Sequence, residues 1–517
     1  MTPLPSMPSI ADRVARSSSL FVLLLATSAT LTACAAETDE APPADIVPPP
    51  VDSPPEEKKP DDPPPPDEGV AVAHDRELRG AWISTVFNGT WPSKTGLSEA
   101  DAKAELVAIF DALAAAKMNA VFLQVRPESD ALYASKIEPW SRWLTGTQGQ
   151  DPGWDPLAFA IEKGHERGLE IHAWMNPYRG LTSSSTVAAS SHITKMLPDR
   201  ALGYGTQVWM DPGAPDVRAH ILDVVRDILQ RYDVDGIHFD DYFYPYPVQG
   251  ETFEDGPTYA LYTNGGGTLG KDDWRRFNVD TLVREVGELV TKERPDVRFG
   301  ISPFGIYRPG TPAGITGLDA YAVLYCDPVR WMKEKWVDYV APQLYWPTTR
   351  TAQAFGKLVT WWAGLAEGGR SVFIGHDATK VGETDWPLSE YEAQMTLTRA
   401  EAGAHGSIFF SAKPLVVDKL ALRSTLAEKF WSKPAATPPL ASALGATLPL
   451  PAIQKTATGI EVTSPNAKLR SIAVYKDGAI ERIVPAATKL TLPNGRWEIG
   501  TIDRRGVASH ARTVELP

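Results

Sequence analysis

Residues 234–247 read Val-Asp-Gly-Ile-His-Phe-Asp-Asp-Tyr-Phe-Tyr-Pro-Tyr-Pro. Apolar Ile237 and Phe239 alternate with His238 and Asp240, and a second carboxylate, Asp241, opens a run rich in aromatic side chains. Side chains of a strand alternate between its faces, so Gly236, His238 and Asp240 share one face and Ile237 and Phe239 the other. A carboxylate at the end of an otherwise buried strand is costly unless it is paired or lines a cavity. Carboxylates among flat rings suit one chemistry well: an anion stabilises an oxocarbenium-like transition state, and the rings pack against sugar faces. A single Asp in this place also serves to cap a βα loop, so the reading depends on whether other strand ends converge with it.

Several do. Strands are predicted at residues 78–84, 120–126, 170–176, 236–241, 299–304, 339–345, 372–377 and 407–411. Their C-terminal ends carry Trp82 and Ser84; Gln124 and Arg126; His172, Trp174 and Asn176; His238 and Asp240; Ser302 and Phe304; Gln343 and Tyr345; and His376 or Asp377. Each set keeps the spacing of two that places its members on one face. The histidines follow neither a His-x-His nor an HExxH spacing, so no metal is expected. An open doubly wound sheet is the rival fold, but no Gly-rich phosphate loop follows an early strand; no cofactor is expected, and no GxSxG elbow is present to support an esterase.

Helical patterns at 99–116, 156–167, 216–232, 274–293 and 328–335 separate these strands. Eight apolar strands with intervening helices predict a (β/α)8 TIM barrel over residues 76–432, with its chemistry at the strand C-termini. Residues 180–207 and 242–271 read as elaborated βα loops on that face. After Trp431 a Pro-rich hinge at 434–439 leads to short alternating runs punctuated by Asp477-Gly478 and Asn494-Gly495. Residues 433–517 therefore read as a small β-sandwich whose composition is similar to a fibronectin type III-like module. Few contacts are expected across the hinge, so the barrel is expected to fold without this module.

The chain has 517 residues, a net charge of −13 and 16 tryptophans. The acidic balance argues against a nucleic-acid partner, and the chain is expected to act as a monomer. Arg13 and Arg16 precede a short apolar run and then Leu31-Thr32-Ala33-Cys34, the pattern of a lipoprotein signal peptide over residues 1–33 with Cys34 acylated. The other cysteine, Cys326, is expected to be a buried thiol. Residues 34–75 read as a linker, with twelve prolines among the 28 residues of 41–68. At about 3.1 Å per residue such a stretch spans roughly 80–90 Å, a tether suited to an enzyme working on an insoluble target. Cell-envelope attachment is expected, at the outer membrane, since Ala35 rather than an acidic residue follows Cys34.

Seven segments in order carry a resemblance: residues 79–84, 123–133, 174–179, 234–245, 300–308, 339–346 and 406–411. They resemble the bacterial glycosyl hydrolase-like 10 family over residues 76–430. The resemblance implies a TIM barrel related to glycosidases. Through an enteric lipoprotein of the family that acts on peptidoglycan glycan strands lacking stem peptides, it also implies a cell-envelope polysaccharide substrate. A catalytically inactive carbohydrate-binding lipoprotein is the alternative. Chitinase-like barrels carry DGxDxDxE at this strand. Here Tyr242 stands where their acid would be, which sets a chitinase-type mechanism in doubt. The catalytic candidates are Asp240 and Asp241. A partner carboxylate is expected from another strand end, with Glu128 and Asp130 foremost and Asp327 and Asp377 behind them. The expected substrate-binding residues are Trp82, Gln124, Arg126, His172, Trp174, Asn176, His238, Tyr242, Tyr244, Arg308, Gln343 and Tyr345.

Overall fold

The computed structural model describes residues 69–456, 459–465, 468–486 and 489–517. Its centre is a closed barrel of eight strands: β1 (Leu78–Ile83), β2 (Ala120–Arg126), β3 (Glu170–Met175), β4 (Gly236–Phe239), β5 (Arg298–Ile301), β6 (Tyr339–Val340), β7 (Ser371–Asp377) and β8 (Ala404–Phe410). All neighbours are parallel and sequential, and β8 closes on β1 from Leu78 opposite Gly406 to Trp82 opposite Phe410. A Cβ on Gly406 would lie 2.1 Å from the Leu78 carbonyl oxygen, so the seam closes only around a glycine.

Helices pack outside the barrel. Among them are α1 (Glu99–Ala115), α2 (Pro156–His165), α3 (Pro215–Arg231) and α4 (Lys271–Glu293). Local chemistry starts them: Ser98 caps α1 by accepting from the Asp101 N–H, and Asp155 caps α2 ahead of a proline in its first turn. Helix α3 buries Val217, Ile221, Val224, Val225, Ile228 and Leu229, one stripe at helical spacing against the strands. Outward-facing strand residues such as Val121, Ile171, Ile237 and Phe299 join that layer. A second, smaller cluster fills the barrel interior with Leu78, Trp82, Phe122, Trp174, Tyr339, Phe373 and Ile408. Gly236 and Gly300 make room there, since a Cβ on either would lie 2.2 Å from His172 or from the ring of Tyr339, respectively.

The long loops are not structureless. After β3 the chain forms a three-stranded antiparallel sheet of Arg179–Leu181, Ala201–Tyr204 and Gln207–Met210, and the loop after β4 contains the helix Gly256–Asn264. Short strands of this kind carry little periodicity to predict them.

The C-terminal module is a small sandwich of a three-stranded and a four-stranded antiparallel sheet. Its hairpin between Leu469–Lys476 and Ala479–Pro485 turns through Asp477 and Gly478, both at positive φ (52° and 76°), as a two-residue type I′ turn requires. The hinge departs from expectation. The carbonyls of Lys433, Ala435 and Thr437 accept from Arg79, Asn119 and Arg76, and Arg298 donates to the carbonyl of Pro438. Prolines lack an N–H but keep an acceptor, and three guanidinium groups and the Asn119 amide at the barrel's N-terminal end take up the acceptors of this segment. Residues 70–75, read from sequence as the end of the linker, also lie against the module: Val70 bridges to Ala511, and Tyr475 bonds His74 (2.9 Å).

Candidate active site

At the C-terminal ends of the strands is a cavity of about 560 Å³, and both Asp240 and Asp241 line it. Strand β4 ends at Phe239, and the chain then turns. Because the extended geometry stops there, consecutive side chains need not point to opposite faces, and both carboxylates enter one site.

Each is held differently. Asp240 Oδ2 accepts from the Trp174 indole N–H (3.2 Å) and from the Asn176 amide, while Oδ1 accepts from the Tyr242 N–H (3.2 Å). Asp241 Oδ1 accepts from the Gln343 amide (3.1 Å), and Oδ2 bonds the Tyr246 hydroxyl. Burial pushes the Asp240 carboxyl up from its usual value near 3.8 to about 7; nearby Arg179 opposes that shift and the Asp241 charge adds to it. Asp241 is raised too, by burial, against hydrogen bonds from Tyr246 and Gln343. Two like charges this close do not both ionise readily, so the pair retains a proton near neutrality.

The walls come from several elements. Trp82 from β1, Gln124 from β2, Trp174 from β3, and Ser302, Gln343 and Tyr345 from the segments after β5 and β6 all face the cavity, as does Tyr242. Tyr345 stacks on Phe410 (6.0 Å, 26°). Gln124 fixes the rim: its carbonyl oxygen accepts from the Thr85 and Val86 N–H groups, and its amide donates to Asn176 (2.6 Å), which in turn holds Asp240. The cavity therefore offers two buried carboxyls, amide donors and several flat rings.

Other expected residues lie elsewhere. Glu128 receives a two-pronged bond from Arg142 (2.9 and 3.0 Å) and one from the Thr182 N–H (2.5 Å). Burial works to raise its carboxyl, but the bonds from Arg142 and Thr182 outweigh it and hold it below the usual range. Asp130 accepts from Gln148 (3.0 Å) and from the Glu128 N–H, and burial with the Glu128 charge raises it to about 7. Neither lines the cavity. Asp327 and Asp377 cap the short helices that follow them. Among the described residues no carboxylate from another strand end lines the cavity, and Asp240's carboxylate neighbour there is Asp241.

Arg126 is buried in a pair with Glu138 and braces the end of β3 through the carbonyls of Asn176 and Pro177. Tyr244 packs edge-on against Tyr325 (4.8 Å), and Arg308 sits over Tyr321 (4.7 Å); neither reaches the cavity. His172 and His238 lie beneath its floor, bonded to Tyr339. Cys34 lies outside the described residues.

The cavity also has members that sequence reasoning left out: Arg179, Thr182, Gln207, Phe87 and Phe410. Arg179 sits 4.5 Å over the Tyr242 ring. It ends the segment 174–179, so a cation just past a polar strand end was a usable signal. Phe410 shares a strand face with Ile408. Gln207 arrives through the antiparallel sheet after β3, and nothing local announces it.

A closed parallel barrel with a buried carboxyl pair in an aromatic-walled cavity at its strand ends places the chain among TIM-barrel proteins of the glycoside hydrolase type. Residues 77–391 match the family model for glycosyl hydrolase-like 10, and the chain belongs to that family. It is 41% identical over 378 residues to glycosyl hydrolase YngK of Bacillus subtilis (strain 168), covering 70% of this chain and 74% of that one. It is 36% identical over 364 residues to glycosyl hydrolase DigH of Escherichia coli (strain K12), covering 64% and 82% respectively. Among solved structures, the PgaB (BpsB) glycoside hydrolase domain from Bordetella bronchiseptica aligns with a TM-score of 0.46 at 14% identity, over 68% of this chain and 98% of that one.

Proposed function

We propose that the protein is a glycoside hydrolase of the cell envelope whose substrate is a polysaccharide, with peptidoglycan glycan strands first among the candidates. The observation that carries this reading is the pairing of Asp240 and Asp241 in one buried, ring-walled cavity. The names of its relatives, glycosyl hydrolases YngK and DigH, agree with it.

The two acids divide the work by their hydrogen bonds. Asp240 accepts from three N–H donors, none of which can accept a proton's bond in return; these bonds favour its anion and oppose the burial that raises its carboxyl. Asp241 faces the Tyr246 hydroxyl, which can donate to a carboxylate or accept from a carboxylic acid. Asp241 therefore carries the shared proton and gives it to the leaving oxygen, while Asp240 stabilises the positive charge growing at the anomeric carbon. Trp174 both holds Asp240 and presents its ring to the cavity. Attachment through an acylated Cys34 at the outer membrane would tether this site near the wall.

Zymography of the Cys34-less protein on peptidoglycan tests the reading. Clearing by the wild-type protein and none by Asp240→Asn is the expected result. Binding without clearing by the wild type would identify an inactive carbohydrate-binding protein instead.

A further inference from the structure

A chain of buried polar groups runs down the barrel interior from the cavity floor to the C-terminal module. The Trp82 indole N–H donates to His238 Nε2 (3.1 Å), and the Ser302 hydroxyl lies 3.2 Å from the same nitrogen. His238 Nδ1 lies 3.0 Å from the Tyr339 hydroxyl, which lies 3.1 Å from His172 Nδ1. His172 Nε2 is 3.1 Å from Glu170 Oε2. Glu170 Oε1, at the opposite end of the barrel, accepts from Thr437 (2.5 Å) and from Arg470 of the module.

The donors fix a single direction. An indole nitrogen can only donate, so His238 Nε2 is an acceptor and, in a neutral ring, Nδ1 bears the proton. His238 then donates to the Tyr339 oxygen, Tyr339 donates to His172 Nδ1, and His172 Nε2 donates to the Glu170 carboxylate. Each of these column groups is satisfied with both rings neutral. Burial pushes His172 down to about 3 and His238 well below its usual range, in agreement. Glycines at 236 and 300 leave the space that the His172 and Tyr339 rings occupy.

We propose that this column is a positioning device: Glu170, His172, Tyr339 and His238 hold the Trp82 ring in the cavity floor, and Arg470 makes the C-terminal module part of the same unit. Arg470 clamps the far end by bonding Asp235 (2.7 Å) as well as Glu170. Without the Tyr339 hydroxyl the buried His238 Nδ1 proton has no acceptor, a cost that offsets the indole's selection of this tautomer. A proton moved to Nε2 would then face the indole N–H, and Trp82 would lose its acceptor.

Two measurements test this on the full chain. In protein labelled with ¹⁵N-histidine, the His238 proton is expected on Nδ1 in the wild type and to shift toward Nε2 in Tyr339→Phe. A wild-type proton on Nε2 overturns the column, and this readout needs no substrate, so it stands apart from the assignment of the reaction. The kinetic arm rests on that assignment. Tyr339→Phe should lower kcat/KM by about 10- to 100-fold, the scale of a misplaced site group. In a Trp82→Phe background the same change should alter it by less than about twofold, since the two act as a unit. Arg470→Lys, which keeps a cation beside Glu170 and Asp235 should Tyr339→Phe fail to fold, should show a smaller loss that also vanishes in Trp82→Phe. Equal losses with and without Trp82 would mean that the column supports the fold alone.

Discussion

Asp240 and Asp241 are neighbours in the chain and share one cavity, yet no hydrogen-bond donor is common to them: Trp174, Asn176 and the Tyr242 N–H serve the first, Gln343 and Tyr246 the second. Separate donor sets allow two acids that repel one another to hold different protonation states. The first three predictions follow from that separation.

Asp240→Asn should act on kcat. The carboxylate interacts more strongly with the charged transition state than with bound substrate, so its loss is expected to cost about 3–5 kcal/mol, a 10²–10⁴-fold fall, with KM moving far less. Steady-state kinetics on solubilised glycan decides it. Near-wild-type turnover would make Asp240 structural.

Asp241→Asn should abolish turnover to a similar extent while leaving the fold intact. Asparagine can accept from Gln343 and donate to the Tyr246 oxygen, so neither partner is stranded. The linkage sign is clear. A carboxyl whose pKa is raised on folding adds stability below its unfolded value near 3.9, and that stability is lost as pH rises through the folded value. The amide has no such titration, so the variant's Tm should equal or exceed the wild type's at pH 8, with the advantage shrinking toward pH 4. A lower Tm at pH 8 would contradict burial as the cause of the raised pKa.

Activity should fall in alkali, where the pair loses its shared proton, and also in acid, where both carboxyls are protonated. Asn176→Ala removes a donor that favours the Asp240 anion. Its acid limb should therefore move upward, by about one pH unit for a lost bond to a charged group. An unshifted limb in the kcat/KM profile would count against Asn176 as Asp240's support.

A chain ending at Trp431 should lose its cooperative thermal transition. It strands Glu170 and Asp235, both buried, without Arg470 and Arg504. Removing one side of a buried ion pair typically costs about 3–5 kcal/mol. Unchanged melting of the truncated chain by calorimetry would show the docking to be dispensable.

Cys34→Ser should move the protein out of the detergent phase in Triton X-114 partitioning, because acyl chains rather than a membrane span would provide the anchor. Retention of the variant in that phase would rule out the lipid anchor at Cys34.

What the sequence determined by itself is what local pattern encodes. Period-two alternation with intervening helical stripes specified a (β/α)8 barrel, and the run from Asp235 to Tyr246 marked β4 and its carboxylates, because side-chain direction in a strand follows from spacing alone. Tertiary structure decided which polar groups meet. Glu128 sits just past a strand end like a catalytic acid, but Arg142 and the Thr182 N–H, both from other parts of the chain, take up its oxygens. Gln207 reaches the cavity only because a sheet folds over the barrel mouth. Arg470 meets Glu170 across 300 residues, so a hinge that reads as a loose joint is a docked one. Periodicity is a property of neighbours in the chain. Ion pairing, desolvation and the resulting pKa values are properties of neighbours in space, and only the closed barrel with its docked module brings those together.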